Sequence, residues 1–317
     1  MEQPSRSSID MTYDAIIVGG GPAGLSAALV LGRCRRNVLL CDSGHYRNSA
    51  SDGVHSFFTR DGTPPAEMLG IGRKQLEQYG VELRKCQVTH ACLHAEGFLL
   101  TLEDKTELVA RKLLLATGVR DHVPEIPGIQ DFYGKSVHHC PYCDAWEWRD
   151  RRIAVYGRKR HGYALATALL NWSKDVVLLT NGRSGLNVKQ KSELARLGIP
   201  VRTECIERLE GSGARLERIV FQGGGVLPAD ALFFSTGQDQ CCDLTLKLGC
   251  MFTNKGTVKT DLKGDTNVPG LYVAGDAARD VQFVIVAASE GAKAGVAINE
   301  ALQAEQLKPP EQPKHNN

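Results

Sequence analysis

One hexapeptide, Gly19-Gly20-Gly21-Pro22-Ala23-Gly24, restricts the folds open to this chain more than any other stretch. An apolar β-type run, Tyr13–Val18, leads into it, and a helical stretch, Leu25–Leu31, leaves it. A second strand-type run, Asn37–Cys41, follows and closes on Asp42. Gly19, Gly21 and Gly24 fit G-x-G-x-x-G, and each glycine has its own reason to be there. The first permits the tight turn, the second lets backbone approach a pyrophosphate, and the third lets helix and strand pack closely. The helix start offers free N–H groups to phosphate, and Asp42, 18 residues beyond Gly24, can accept hydrogen bonds from ribose hydroxyls. A glycine-rich turn alone is weak evidence. With a strand before it, a helix after it and an acid at this distance, it predicts a dinucleotide-binding βαβ unit.

Downstream segments repeat the pattern. Lys112–Gly118 is a buried-type strand ending in Ala-Thr-Gly, after which Pro124, Pro127 and Gly128 interrupt regular structure. A second unit begins at Arg152–Gly157, with an amphipathic helix predicted over Tyr163–Trp172 and a strand over Asp175–Thr180. Gly223–Gly225 marks a hairpin, Ala231–Gly237 and Gly270–Asp276 are further strands, and Phe283–Gln303 is a long helix. With 317 residues, 42% of them hydrophobic, the chain has room for two packed cores. The expected fold is α/β: two Rossmann-like dinucleotide-binding domains, the second (residues 122–244) inserted into a discontinuous first (residues 1–121 and 245–317).

A formal charge of +2, from 38 basic and 36 acidic residues, gives no reason to expect nucleic acid or an anionic membrane as a partner. The apolar runs are strand-length, so no membrane span is expected. The start, MEQPSRSSIDMTYD, lacks the apolar core of a signal peptide, and the end, PPEQPKHNN, reads as a polar tail. A cytoplasmic setting follows, in which most of the ten cysteines are expected to be reduced, small and buried.

One pair stands apart, in His138-His139-Cys140-Pro141-Tyr142-Cys143-Asp144. A zinc site needs four ligands at set spacing. Cys241 and Cys242 are adjacent, the wrong spacing for a matching half-site, and His138 and His139 stand too close to Cys140 to complete a tetrahedron with it, so no metal is expected. An inert pair is one alternative. A redox pair suits the chemistry better: C-x-x-C closes a small disulfide ring at a helix start, Pro141 fits the first turn, and the helix dipole favours thiolate, the species that attacks a disulfide. His138 and His139 each have two readings, a proton-handling partner of the cysteines or a bystander on the preceding strand.

Taken in order, GGGPAG at 19–24, ATG at 116–118, CPYCD at 140–144 and GLYVAGDA at 270–277 resemble the low-molecular-weight thioredoxin reductases. They also resemble related dithiol oxidases that close disulfides in gliotoxin- and holomycin-type natural products. The resemblance spans residues 12–303 and implies an FAD-dependent thiol–disulfide oxidoreductase, homodimeric, acting on thioredoxin or a small dithiol or disulfide. It implies that Gly19, Gly21, Gly24, Asp42, Gly118, Gly275 and Asp276 hold FAD. It further implies that Cys140 exchanges with substrate, Cys143 faces the flavin and Asp144 serves as acid/base.

The second glycine motif departs from that family. It reads Gly157-Arg158-Lys159-Arg160-His161-Gly162, with Lys159 where backbone should approach the pyrophosphate. The following strand ends in Thr180-Asn181-Gly182-Arg183, with one arginine for a 2′-phosphate and no acid to suit NADH. NADPH use is therefore open. The flavin's other partner is NADPH at an unusual turn, O₂ in a dithiol oxidase, or a ferredoxin. A non-catalytic flavoprotein sensor is a further reading, opposed by the retained CPYCD.

Overall fold

The computed structural model describes residues 12–307. The start and tail considered above lie almost wholly outside the described residues. The chain divides into two compact units. One comprises the chain up to Tyr46, Glu67–Val119 and the chain from Gln240 on; the other comprises Arg47–Ala66 and Arg120–Asp239.

Strand β1 (Thr12–Val18) leads into helix α1 (Pro22–Arg33), whose first residue, Pro22, has its φ preset for a helix and no N–H to leave unsatisfied. β2 (Val38–Asp42), α2 (Pro65–Leu76), β3 (Glu82–Lys85), β4 (Val88–His94), β5 (Gly97–Leu102) and β6 (Glu107–Leu115) follow. The chain then runs through β7 (Val119–Asp121), α3 (Ile129–Phe132), β8 (Val137–His138), α4 (Pro141–Asp144), β9 (Ile153–Tyr156), α5 (Lys159–Leu169) and β10 (Val176–Leu179). Next come α6 (Val188–Arg196), β11 (Val201–Arg202), β12 (Ile206–Ser212), β13 (Arg215–Phe221), β14 (Val226–Pro228), β15 (Ala231–Phe234) and β16 (Gln238–Gln240). The described chain closes with α7 (Leu244–Lys247), β17 (Leu271–Val273) and α8 (Val284–Gln306).

In the first unit, β3, β2, β1 and β6 lie side by side in parallel. β6 then divides its far edge. Its end, Leu113–Leu115, pairs in parallel with β17, and its start pairs antiparallel with β5, which continues to β4. The strands that carry helices on their faces are near-continuous apolar runs because neither side meets water. Ile16, Leu39 and Leu113 pack on one side of the sheet, and Ile17, Leu40 and Leu114 on the other with α1 and α8. The strand order reverses between β1 and β6, so the carboxyl ends of β1, β2, β6 and β17 border a crevice of the kind that takes ligands in open α/β sheets.

Close helix contact there depends on missing side chains. A Cβ built on Gly291 of α8 would lie 1.9 Å from the Ala23 carbonyl oxygen in α1. The sequence places this glycine in no motif, so its packing role is visible only in the fold.

The second unit holds a five-stranded parallel sheet, β11-β10-β9-β15-β8, and a three-stranded antiparallel one, β12-β13-β14, turning at Gly223–Gly225 as expected. The mixed α/β class read from the sequence is the class observed. Two expectations need correction. Helix α5 starts at Lys159, not Tyr163, because Arg158 already serves as an extended N-cap and the supposed turn is the first helical turn. Of the eight cysteines outside the C-x-x-C pair, only Cys41, Cys86 and Cys250 are buried. Cys34, Cys205 and Cys241 are exposed, since each lies in a connection between elements rather than within one.

Arg47–Ala66 groups with the second unit through specific contacts. Arg47 donates to both Asp121 carboxylate oxygens, at 2.8 and 2.6 Å. Gly134, at φ +76°, has Ala50 packed where a β-carbon would point, and Lys135 pairs with Asp52. Burial pushes the Asp121 carboxyl up, but the Arg47 hydrogen bonds and the neighbouring His139 outweigh it and hold the group below the usual carboxylate range.

Gly291→Val should cost about 1–3 kcal/mol by overpacking and lower the thermal midpoint by several degrees. Gly70→Ala, in α2 with open space around it, should raise stability by up to about 1 kcal/mol; circular dichroism melts compare the two. Arg47→Met should destabilise the protein by about 3 kcal/mol at neutral pH by leaving buried, charged Asp121 with only the longer contacts of Tyr133 and His139. Because the Asp121 pKa is depressed on folding, that contribution is fully present above the unfolded value of ~3.9 and fades as pH falls below it. Denaturant midpoints of wild type and variant should therefore converge on acidification.

Candidate active site

The predicted dinucleotide residues of the first unit come together at the carboxyl edge of its sheet. Gly19 takes φ +112°, and a Cβ on it would lie 2.3 Å from the Ala116 oxygen at the end of β6. A Cβ on Gly24 would lie 1.9 Å from the Gly19 oxygen, which is the close helix–strand approach the third glycine was expected to permit. Gly21 is the N-cap of α1, has no side-chain cap and faces open space, with nothing within 4 Å of its missing Cβ. Gly20, not singled out from the sequence, matters as much. A Cβ there would meet the Asp42 carboxylate at 2.2 Å, so only glycine lets Asp42 lie against the turn. The unbroken GGG run was the available signal.

Asp42 is held from three sides. The Gly44 N–H donates to Oδ1 at 2.9 Å, the Tyr46 hydroxyl donates to Oδ2, and Arg73 stands 3.4 Å from Oδ2. Oδ1 keeps an acceptor site for another donor. Gly118 takes φ +69° just past β6, and beside it the buried Thr117 hydroxyl lacks a hydrogen-bond partner among the described residues. Gly275, at φ +79°, and Asp276 sit in the short turn after β17, with Gly275 against Ala23. An uncapped helix start, an open face above Gly21 and an unpartnered buried hydroxyl fit a phosphate-bearing dinucleotide such as FAD.

In the second unit, Cys140 and Cys143 form a disulfide, with Cα atoms 5.3 Å apart. Cys140 is the N-cap of α4, a single turn, and its carbonyl accepts from the Cys143 and Asp144 N–H groups at 3.3 and 3.2 Å. The helix expected here is thus one turn long, closed by the Ala145 N–H donating to the Pro141 carbonyl at 2.9 Å.

The two adjacent histidines face different carboxylates. His138 is 6% exposed at the end of β8. Its Nδ1 lies 3.4 Å from Asp144 Oδ1, and its Nε2 lies 3.0 Å from the Trp148 indole nitrogen and 3.1 Å from the Lys135 carbonyl oxygen. His139 sets its Nε2 3.6 Å from Asp121 Oδ2 and stacks near Tyr133. Burial pulls the His139 pKa below its ordinary value, with Asp121 opposing, and burial pushes the Tyr133 hydroxyl up to about 12.

The turn at the second glycine motif keeps its frame but not its opening. A Cβ on Gly162 would lie 2.5 Å from the Gly157 backbone, so helix and strand still meet as in the first unit. Lys159 takes φ +51°, where an L side chain is strained, and its Cγ lies 2.9 Å from a Cβ built on Gly185. Its N–H donates to the Ser184 carbonyl at 2.8 Å. The Arg158 guanidinium lies along the end of β10, donating to the Thr180 carbonyl at 2.7 Å and to that of Asn181. The Lys159 N–H and the strand end that would receive a pyridine dinucleotide are thus engaged by the chain itself, and the Lys159 side chain stands where the motif needs a glycine, so these residues do not fit one bound in the usual way.

Residues 13–291 match the family described as pyridine nucleotide-disulphide oxidoreductase. Thioredoxin reductase tcpT of Claviceps purpurea is 32% identical, over 83% of this chain and 86% of that protein. The crystal structure of HlmI superposes with a TM-score of 0.89 at 33% identity, covering 93% of this chain and 94% of that one. The oxidoreductase from Agrobacterium tumefaciens gives 0.86 at 33% identity, covering 93% and 99%. By family match, sequence identity and superposition together, the chain is an enzyme of the pyridine nucleotide-disulphide oxidoreductase family, in the thioredoxin reductase-like, FAD-dependent group.

Proposed function

We propose that this chain exchanges electrons between FAD held in its first unit and an external dithiol or disulfide through Cys140–Cys143, without a pyridine dinucleotide at the α5 turn. The formed Cys140–Cys143 disulfide, with Asp144 in the same turn, carries this reading. Gly19, Gly21, Gly24, Asp42, Gly118, Gly275 and Asp276 would hold the cofactor, with α1 N–H groups at the pyrophosphate and Asp42 Oδ1 at a ribose hydroxyl. Bound there, FAD supplies a two-electron couple.

The protein's own chemistry is disulfide exchange. A substrate thiolate attacks Cys140 Sγ, forming a mixed disulfide and releasing Cys143 as thiolate. Asp144, next in the chain to Cys143, delivers a proton to that leaving sulfur or removes one in the reverse direction. The second substrate thiol then attacks the mixed disulfide, so the substrate leaves as a disulfide and the protein keeps two electrons as the Cys140–Cys143 dithiol. Run backwards, the same steps reduce a substrate disulfide. Relatives named thioredoxin reductases support thioredoxin or a small dithiol as the exchange partner. The lack of fit at Lys159 and Arg158 supports O₂ or a ferredoxin, rather than NADPH, on the flavin side. A cytoplasmic homodimer belongs to the same reading.

Anaerobic mixing of the yellow protein with dithiothreitol should bleach the flavin in wild type. Cys140→Ser and Cys143→Ser should each abolish bleaching while the flavin stays bound, and full bleaching in either variant removes that sulfur from the path. Asp144→Asn should slow bleaching about a hundredfold or more. Calorimetric titration with NADPH and NADH should show no saturable binding. Micromolar binding of either would restore the nicotinamide-dependent reading.

A further inference from the structure

The geometry points to His138 as a positioning residue for Asp144, with Trp148 selecting the ring tautomer that does it. The inference rests on the exchange role proposed above for Asp144. His138 Nε2 sits between two groups of opposite character: the Trp148 indole N–H, which can only donate, and the Lys135 carbonyl, which can only accept. Nδ1, on the other side of the ring, faces Asp144 Oδ1 at 3.4 Å. With the proton on Nδ1, Nε2 accepts from Trp148 and Nδ1–H points at the carboxylate, so the one mismatch is the Lys135 carbonyl, which then faces a lone pair. With the proton on Nε2, the Lys135 carbonyl gains a donor, but the indole N–H is left unmatched and the Nδ1 lone pair faces a carboxylate. A doubly protonated ring would also forfeit the indole bond.

The ring is 6% exposed, too enclosed for water to repair an unmatched donor, so the Nδ1–H tautomer prevails. The 3.4 Å approach is long, of the kind that tightens when the reacting groups are in place. In that state His138 holds the Asp144 carboxylate in one orientation beside Cys143, and the chain Trp148–His138–Asp144 fixes where the exchanged proton is handled. The neighbouring His139 sets its Nε2 against Asp121 instead.

The test uses the full-length flavin-loaded protein. Nitrogen-15 spectra of histidine-labelled protein should show Nδ1 of His138 as the protonated nitrogen, the signal being assigned by its loss in His138→Asn. An Nε2-protonated ring overturns the inference without touching the function proposed above. Asparagine can place an amide N–H near the Nδ1 position and glutamine near Nε2. His138→Asn should therefore keep dithiol bleaching within a few-fold of wild type, while His138→Gln should slow it about ten- to a hundredfold, the size of one hydrogen bond to a charged group. Trp148→Phe should slow it comparably in the wild-type background and not at all in His138→Asn. Equal rates for His138→Asn and His138→Gln, or the same Trp148→Phe loss in both backgrounds, would overturn the inference. A silent Asp144→Asn would instead sink the proposed function on which it stands.

Discussion

The approach of Gly24 to the Gly19 carbonyl, closer than any β-carbon allows, is the constraint on which the first unit rests. It lets α1 start directly off the end of β1, which brings the first helical N–H groups to the crevice edge. The same economy of side chains recurs where Gly291 meets Ala23 and where Gly20 makes room for Asp42. Each contact trades side-chain bulk for close approach. The reward is geometric: an uncapped helix start, an oriented carboxylate and an open face above Gly21 lie side by side on one sheet edge.

The second unit repeats this frame and comes to a different end. Gly157 and Gly162 still meet, so the strand–helix junction survives. The difference is what occupies the space before the helix. Where Gly21 leaves an opening, Lys159 brings a side chain that packs on Gly185, an N–H already given to Ser184, and a neighbour, Arg158, bound to the end of β10. The Lys159 N–H is thus spent within the fold, although α5, like α1, starts without a side-chain cap. The same strand–helix junction thus opens on a crevice in the first unit and has Lys159 and Arg158 laid across it in the second.

Around that disulfide, two carboxylate–histidine contacts flank a single helical turn. Asp121 is locked by Arg47 and its pKa held down. Asp144 has His138 Nδ1 at 3.4 Å, and among the described residues no guanidinium pairs with it. A carboxylate clamped by two charged hydrogen bonds serves structure, because releasing it costs several kcal/mol. One without such a clamp is freer to change its bonding as sulfur charge comes and goes.

The sequence by itself determined the α/β class, the glycine turn that opens the first unit, the C-x-x-C pair and the damaged second turn. All of these are local, fixed by spacing and by the few residues able to adopt a given backbone shape. Tertiary structure alone decided the rest. It placed Arg47–Ala66 with the second unit, ended α4 after one turn, assigned a packing role to Gly291, and turned His138 and His139 to different acids. It also brought Trp148, ten residues on, back to His138. These features depend on which atoms meet across the fold, and a buried donor or acceptor takes its meaning from a partner that spacing along the chain does not name.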